Sequence, residues 1–270
     1  MEILYSILAG VIQGLTEFLP VSSSGHLVLF HNLSNFDFFD QLFFDVIVHL
    51  GTLLSLIFFF RKEIWRYVFA FLSSFLKFDR NNIDQKMAWY LFFATLPAAF
   101  AGYFFEDLIE MTFRNPTIVA FMLIFFGIVL YFVDLYSVKV LDFSQIKLKN
   151  SLIIGLAQVI ALVPGVSRSG ITIIAGLSQK LKRESAAKFS FLLSAPIIFG
   201  AGMKKIFDLA SGNIGDFSYL VLIFGFFSSM ISGYLCIKYF LKFLQSHSLK
   251  IFAYYRIILG IVILLILLFK

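Results

Sequence analysis

Charged residues and cysteine are scarce in this 270-residue chain. Only 14% of the residues are charged, against 60% that are hydrophobic, and the mean hydropathy is +0.92. A soluble domain of this length needs far more polar surface, so the composition excludes that class. The single cysteine, Cys236, excludes an intramolecular disulfide and a cysteine metal cluster. No Lys or Arg precedes Arg61, so the positive start of a cleaved signal peptide is missing and we expect residues 1–33 to belong to the fold.

Long apolar runs are what the chain has instead. Six of them approach the ~20 residues that a helix needs to cross a bilayer: roughly 41–60, 86–104, 116–135, 188–206, 217–237 and 252–269. Stretch 64–76 is too short to span, and its Trp65 with flanking charges predicts an interfacial helix. The sequence therefore predicts an all-α polytopic membrane protein, a single integral membrane domain over residues 1–270.

Two further regions, 1–33 and 151–179, are apolar but interrupted, at PVSSSG (20–25) and PGVSRSG (164–170). At an offset of 145 positions, GVIQGLTEFLPVSSSG (10–25) aligns with GLAQVIALVPGVSRSG (155–170). The identical pairs are Gly10 and Gly155, Gln13 and Gln158, Val21 and Val166, Ser22 and Ser167, Ser24 and Ser169, and Gly25 and Gly170. Corresponding breaks in two halves indicate a duplication with the binding site at the breaks. Repeat 1 would cover about 1–140 and repeat 2 about 150–270.

Each interrupted region is interpreted as a re-entrant hairpin that enters and leaves on one face of the bilayer. Each half then has one hairpin and about three spans, and since three is odd the second half is inverted. The hairpins would enter from opposite faces and meet near the midplane. Most Lys and Arg residues lie in loops 61–86, 136–150, 180–188 and 238–256. The topology puts these loops on one side, which predicts a cytoplasmic side and an outward-opening first hairpin.

Glu17 is the only formal charge within residues 3–33, and Arg168 is the only one within 151–179. An ionisable group at membrane depth costs at least ~2.5–3.5 kcal/mol, so it usually has a partner or a task. We expect Glu17 and Arg168 to pair across the hairpins. A buried ion pair that only joins the two halves is the alternative.

Gln13 lies four residues before Glu17 and therefore on the same helix face. An amide and a carboxylate together suit a hard cation such as Mg²⁺ or Ca²⁺, with water and substrate oxygens as the other ligands. For Gln13 taken alone, an interhelical hydrogen bond is an equally good interpretation.

Hydroxyl groups surround both breaks. Ser22, Ser23 and Ser24 could cap the helix that follows the first break, and helix N-termini with hydroxyls bind phosphate and other anions. The second break adds Arg168, whose planar guanidinium matches phosphate oxygens. For Ser22 and Ser169 a plain helix cap is the alternative.

His26 follows the three serines of the first break. We expect it to lie close to Glu17 and to serve in proton transfer or nucleophilic attack, with a structural histidine as the alternative. His49 follows Asp45 and could border the same cavity.

These motifs resemble those of the undecaprenyl-diphosphate phosphatases of the bacitracin-resistance type. The family pattern is Glu or Gln four residues before Glu, a serine-rich turn ending Gly-His, and Pro-Gly-x-Ser-Arg-Ser-Gly-x-Thr. Here Gln13 and Glu17, PVSSSGH (20–26) and PGVSRSGIT (164–172) take those places. The resemblance covers the whole chain in length, span count and motif order, with Gln13 as the permitted amide variant.

The resemblance implies a multi-pass enzyme of the bacterial plasma (inner) membrane whose active site faces the outer or periplasmic side. It would hydrolyse undecaprenyl diphosphate to undecaprenyl phosphate plus phosphate, which recycles the lipid carrier of peptidoglycan synthesis and confers bacitracin resistance. It also implies a divalent metal, Mg²⁺ or Ca²⁺, and an isoprenyl diphosphate lipid as substrate among the membrane lipids. No nucleic acid is expected, and the oligomeric state is left open, with a homodimer as one alternative.

Carried over position by position, the resemblance implies three sets of site residues. The catalytic set is Glu17, Ser23, His26 and Arg168. The substrate-binding set is Gln13, Ser22, Ser24, Gly25, Ser167, Ser169, Gly170 and Thr172. The metal ligands are Glu17 and Gln13. Whether Ser23, His26 or a water attacks phosphorus stays open.

The rival hypothesis is an inverted-repeat transporter or flippase for a polyprenyl-phosphate or other anionic substrate, because inverted repeats with broken hairpins are a transport architecture. Arg168 would then bind the headgroup, while Glu17 and His26 relay protons. Phosphate release separates the two hypotheses, since a transporter liberates none.

Overall fold

The computed structural model describes residues 1–33, 41–113, 115–210 and 218–269. Its helices are α1 Glu2–Phe18, α2 Ser23–Leu33, α3 Gln41–Phe59, α4 Arg61–Leu76, α5 Ile83–Phe113, α6 Pro116–Tyr136, α7 Leu148–Ile160, α8 Arg168–Ser178, α9 Arg183–Ala210, α10 Tyr219–Leu244 and α11 Lys250–Leu268. In these ranges a 3₁₀ turn at Phe143–Gln145 and one isolated parallel bridge between Leu141 and Leu181 are the other regular features. The predicted all-α class is confirmed.

The predicted spans correspond to long apolar helices. Within the described ranges, five helices are long and apolar enough to cross a membrane, in 83–105, 116–136, 183–204, 219–244 and 250–268. Helices α3 and α4 meet that criterion only when they are taken together, as a pair bent by 85° at the break between them, and they count as a sixth span if the pair is one span. Stretch 64–76 is helical, within α4, and its interfacial position stays a prediction. Helix α5 continues beyond its apolar part, as far as Phe113.

The two interrupted regions form helical hairpins, α1–α2 and α7–α8. Helices α2 and α8 have eleven residues each and α7 has thirteen. At 1.5 Å per residue these helices are about 16–20 Å long, too short for the ~30 Å of hydrocarbon in a bilayer. The inverted relation of the two halves stays a prediction.

Both hairpins turn at a serine in the left-handed conformation. Ser22 has φ of 72° and Ser167 has φ of 73°, and residues other than glycine rarely adopt such positive φ values. Each serine Oγ accepts a hydrogen bond from a backbone N–H three residues later, from Gly25 at 3.4 Å and from Gly170 at 3.1 Å. These bonds are typical of helix N-caps, so the serines start α2 and α8.

Helix α1 reaches the interior because small residues let it pack closely on α10. A Cβ atom added to Gly10 or Gly14 would lie only 2.0 Å from the hydroxyl oxygen of Ser228 or Ser232. Small residues at helix interfaces are a common means of close association in membranes. This packing fixes the helix that carries Glu17.

Candidate active site

Glu17 joins the two hairpins. Its Oε1 accepts a hydrogen bond from Arg168 Nη2 at 2.6 Å. Its Oε2 accepts one from Ser23 Oγ at 2.6 Å and one from Gln13 Nε2 at 3.0 Å. Glu17 is only 6% exposed. The structure thus brings Gln13, Glu17, Ser23 and Arg168 into one cluster, while their catalytic and binding roles stay predictions.

Arg168 keeps one donor unused. Its Nη2 is bonded to Glu17, whereas Nη1 is buried and has no hydrogen-bond partner among the described residues. Leaving a buried guanidinium donor unpaired costs free energy. A phosphate oxygen bound at Nη1 would remove that cost through a charge-assisted hydrogen bond.

Gln13 holds a second unsatisfied polar atom. The residue is fully buried, and its Oε1 has no partner in the described part of the chain. No group of three His, Cys, Asp or Glu residues converges anywhere in that part. The residues present therefore fit a hard divalent cation only if water or substrate oxygens complete its ligand shell.

His26 makes no hydrogen bond or ion pair with Glu17, although the sequence predicted that the two lie close together. Its Nδ1 is 2.8 Å from the carbonyl oxygen of Ser22, to which it must donate. Its Nε2 is 2.7 Å from Tyr255 Oη, and the two rings stack with an interplanar angle of 5°. In the neutral tautomer, Nε2 therefore accepts a hydrogen bond from the Tyr255 hydroxyl.

His49 is the histidine that contacts Glu17. Its Nε2 lies 3.6 Å from Glu17 Oε2. Its Nδ1 lies 2.6 Å from the carbonyl oxygen of Asp45, to which it donates. The sequence indicated only that His49 could border the cavity, from its spacing to Asp45, because helix α3 shares no motif with the two hairpins.

Arg256 contacts both breaks, and the sequence placed it elsewhere. It was assigned to cationic loop 238–256, but it lies in the second turn of α11 and is fully buried. Nη1 donates to the carbonyl oxygen of Pro20 at 3.2 Å. Nη2 donates to those of Gly165 at 2.9 Å and Val166 at 2.8 Å. One guanidinium therefore clamps the first break to the second.

The other predicted binding residues mainly shape the hairpins. Ser169 Oγ donates to the carbonyl oxygen of Leu19 at 2.8 Å, which ties α8 to the first break. Thr172 Oγ1 lies 2.7 Å from Ser190 Oγ and donates to the carbonyl oxygen of Arg168, also at 2.7 Å.

Ser24 and the two glycines complete the predicted set. Ser24 is exposed, and its Oγ lies 3.4 Å from that of Ser22. The N–H groups of Gly25 and Gly170 are used by the two serine caps. Gly170 also leaves room for Arg256, since a Cβ there would lie 2.7 Å from Arg256 Nη1. The binding roles of all these residues stay predictions.

Comparison with known proteins agrees with the motifs over nearly the whole chain. A profile of the family described as bacitracin resistance protein BacA matches residues 6–262. The chain is 42% identical to an undecaprenyl-diphosphatase of Methanobrevibacter smithii, over 97% of each chain. It is 44% identical to one of Rubrobacter xylanophilus, over 96% of each chain. It is 43% identical to one of Pelotomaculum thermopropionicum, over 97% of this chain and 96% of that protein.

Proposed function

The chain belongs to the bacitracin resistance protein BacA family, and on that basis we propose that it hydrolyses undecaprenyl diphosphate. It is a multi-pass membrane hydrolase that leaves undecaprenyl phosphate, the lipid carrier of peptidoglycan synthesis, and so confers bacitracin resistance. The names of its relatives favour this enzyme over the rival transporter. The observation that carries the proposal is the cluster of Glu17, Ser23 and Arg168 between two helix starts, with Arg168 Nη1 unpaired.

Arg168 binds the terminal phosphate of the substrate. Its free Nη1 donates to a phosphate oxygen, while the bond from Nη2 to Glu17 keeps the guanidinium plane in place. The first turns of α2 and α8 add the positive ends of two helix dipoles on either side. These fixed donors stabilise the charge that develops on the phosphate oxygens in the transition state.

Ser23 is the nucleophile that the geometry favours, because its hydroxyl already donates to Glu17 at 2.6 Å. Ser23 Oγ attacks the terminal phosphorus, Glu17 takes the hydroxyl proton, and the bond from phosphorus to the bridging oxygen breaks. Undecaprenyl phosphate leaves with the bridging oxygen. Water then attacks the phosphoserine, one of its protons passes to Ser23 Oγ, and inorganic phosphate is released. Glu17 gives the proton it took from Ser23 to solvent, which restores the carboxylate for the next turnover. His26, held by Ser22 and Tyr255, supports the turn that presents Ser23.

A divalent cation, Mg²⁺ or Ca²⁺, belongs beside this cluster. Gln13 Oε1, buried and unpartnered, and the Glu17 carboxylate would be its protein ligands. When bound, the cation supplies neutralisation of negative charge on the diphosphate. With one carboxylate and one neutral amide, the protein offers it fewer charges than two glutamates would.

The distribution of Lys and Arg supports an active site that opens to the outer or periplasmic side. Most of them lie in loops 61–86, 136–150 and 180–188, and cytoplasmic loops collect such residues. The first hairpin, which carries Ser23, would then open away from the cytoplasm. A homodimer remains one of the alternatives for the assembly.

The test is phosphate release from undecaprenyl diphosphate by purified protein in detergent with Mg²⁺ or Ca²⁺. We expect wild type to release phosphate, and Glu17→Gln and Arg168→Lys to lower kcat at least about 100-fold, because each changes a group next to the reacting phosphate. Gln158→Met is the control, since Gln158 corresponds to Gln13 but its side chain has no hydrogen-bond partner among the residues that the structure describes. Wild type that binds the lipid yet liberates no phosphate with either metal would contradict the hydrolase.

A further inference from the structure

A cavity lies at the open end of the α7–α8 hairpin. It has a volume of about 660 Å³ and is bounded by the start of α5, the start of α7 and the end of α8. The active-site residue Arg168 begins α8, while Ser178 ends the helix and lines the cavity. Ten residues of helix separate them by about 15 Å. The cavity is therefore distinct from the candidate active site.

Lysines dominate the charge of this cavity. Its lining contains four of them and no carboxylate: Lys86, Lys147, Lys149 and Lys180. In the part of the chain that the structure describes, none of the four forms an ion pair with a carboxylate. Neighbouring cations do have such partners, for example Lys182 with Asp142 at 2.8 Å and Arg66 with Asp84 at 3.1 Å. The cavity thus concentrates positive charge that the protein itself does not neutralise.

The wall of the cavity combines apolar side chains with ammonium groups. Met87 and Ile146 are buried and provide apolar surface beside the ammonium groups. Exposed Lys180 has the left-handed φ of 67°. Its carbonyl oxygen accepts hydrogen bonds from Val140 and Leu141, at 3.0 and 2.9 Å, which hold it in this costly conformation. The strained residue therefore has a fixed position at the rim.

We propose that this cavity is an anion site that binds a phosphate group, either that of an anionic membrane lipid or the free ion. Several ammonium groups would surround the phosphate oxygens, and the apolar wall would contact the rest of a lipid headgroup. The loops that form it are those predicted to be cytoplasmic, and basic pockets beside transmembrane helices on that side bind anionic headgroups. The site goes beyond the hydrolysis proposed above and does not depend on it.

The experiment compares two triple variants with equal loss of charge. The cavity variant is Lys147→Gln, Lys149→Gln and Lys180→Gln; the control is Lys62→Gln, Lys77→Gln and Lys242→Gln, three exposed lysines outside the cavity. Native mass spectrometry counts bound phosphatidylglycerol against phosphatidylcholine, and isothermal titration measures inorganic phosphate. We expect the cavity variant to lose at least about tenfold in affinity for one of the two phosphate probes and the control to lose little.

Each outcome decides the question. Loss confined to phosphatidylglycerol identifies a lipid headgroup as the ligand, and loss confined to inorganic phosphate identifies the free ion. Equal losses in both triple variants, or no binding of either probe by wild type, would overturn the site. The cavity variant should keep the kcat of phosphate release, since its residues lie outside the active site. If the triple substitution destabilises the fold, Lys180→Gln against Lys62→Gln repeats the comparison.

Discussion

The two breaks share one backbone turn. Ser22 and Ser167, which are 167 − 22 = 145 positions apart, have φ values of 72° and 73°. Their hydroxyl oxygens lie 3.4 Å and 3.2 Å from those of Ser24 and Ser169, again an equivalent pair. The repeat has kept the residues that build the turn and start the next helix.

The breaks differ in the residues that face each other across the site. Ser23 and Arg168 are equivalent, since 168 − 23 = 145, and both donate to Glu17 at 2.6 Å. The equivalent of Glu17 itself is Leu162, since 162 − 17 = 145. In the proposed mechanism, one hairpin thus supplies the carboxylate and the nucleophile, and the other supplies the cation that binds phosphate.

The two equivalent glutamines, Gln13 and Gln158, differ in their hydrogen bonding. Gln13 donates to Glu17, whereas both polar atoms of Gln158 are buried without a partner among the described residues. With Leu162 in place of a carboxylate, Gln158 has nothing to bond to on its own helix. A duplicated turn is therefore a scaffold, and a few substitutions on it create a site with two different halves.

The largest difference between the hairpins should appear when the nucleophile is removed. We expect Ser23→Ala to lower kcat at least about 1000-fold, because no hydroxyl would remain to attack phosphorus. The neighbouring Ser24→Ala should change kcat less than about tenfold. Phosphate release measures both effects. Rapid acid quench should trap phosphoserine in wild type and not in Ser23→Ala. A Ser23→Ala enzyme with a tenth of wild-type activity would exclude the phosphoserine route.

The second-largest effect should follow from the loss of Arg256, which joins the two breaks. We expect Arg256→Met to lower kcat about 100-fold per folded molecule, because Pro20, Gly165 and Val166 lose the donor that holds both breaks together. Guanidinium chloride at low concentration should partly restore an Arg256→Ala variant.

The control for the clamp is Asp134→Asn, which removes a buried charge that lies on α6. Asp134 accepts from Arg183 at 2.6 Å and from the backbone N–H of Leu249 at 3.0 Å. Its substitution should lower the thermal unfolding temperature without changing kcat. Arg256 would be merely structural if both variants lost stability and kept kcat.

A smaller effect should distinguish the two glutamines. Gln13→Glu adds a second carboxylate beside Glu17, so we expect about tenfold less Mg²⁺ to be needed for half-maximal phosphate release. Gln158→Glu has no such partner and should leave the Mg²⁺ requirement unchanged while lowering stability, because its charge would be buried alone. Binding of Mn²⁺, followed by its electron paramagnetic resonance signal, checks the affinity without turnover. Equal effects at the two positions would argue against Gln13 as a ligand.

The smallest effect should come from the serine turn that the two hairpins have in common, and it should be an effect on stability. Ser22→Ala and Ser167→Ala each lose a helix cap and keep an unfavourable left-handed residue, so each should cost about 1–2 kcal/mol of stability. Ser22→Gly and Ser167→Gly should be milder, because glycine adopts positive φ readily. Thermal unfolding in detergent measures all four. Unequal results for the two alanine variants would show that the turns are not energetically equivalent.

Much of this site could be predicted from local signals. Glu17 and Arg168 stand out because each is the only formal charge in an apolar region, where an isolated charge is costly. The serines and glycines mark the breaks because they recur at a constant offset. Ser23 could be named as a candidate but not separated from His26, since that choice depends on which group reaches Glu17 in space.

The sequence by itself determined the helical spans, the two breaks and the opposite charges on them, because hydrophobicity, helix interruption and isolated charge are properties of short segments. Only the tertiary structure decided that His49 contacts Glu17 and that Arg256 clamps the breaks. Arg256 bonds to carbonyl oxygens of residues 236 and 91 positions away, Pro20 and Gly165. Every residue has a carbonyl group, so such bonds leave no side-chain pattern. Only the packing of α11 on α6, a helix that also contacts α8 and α2, brings these partners together.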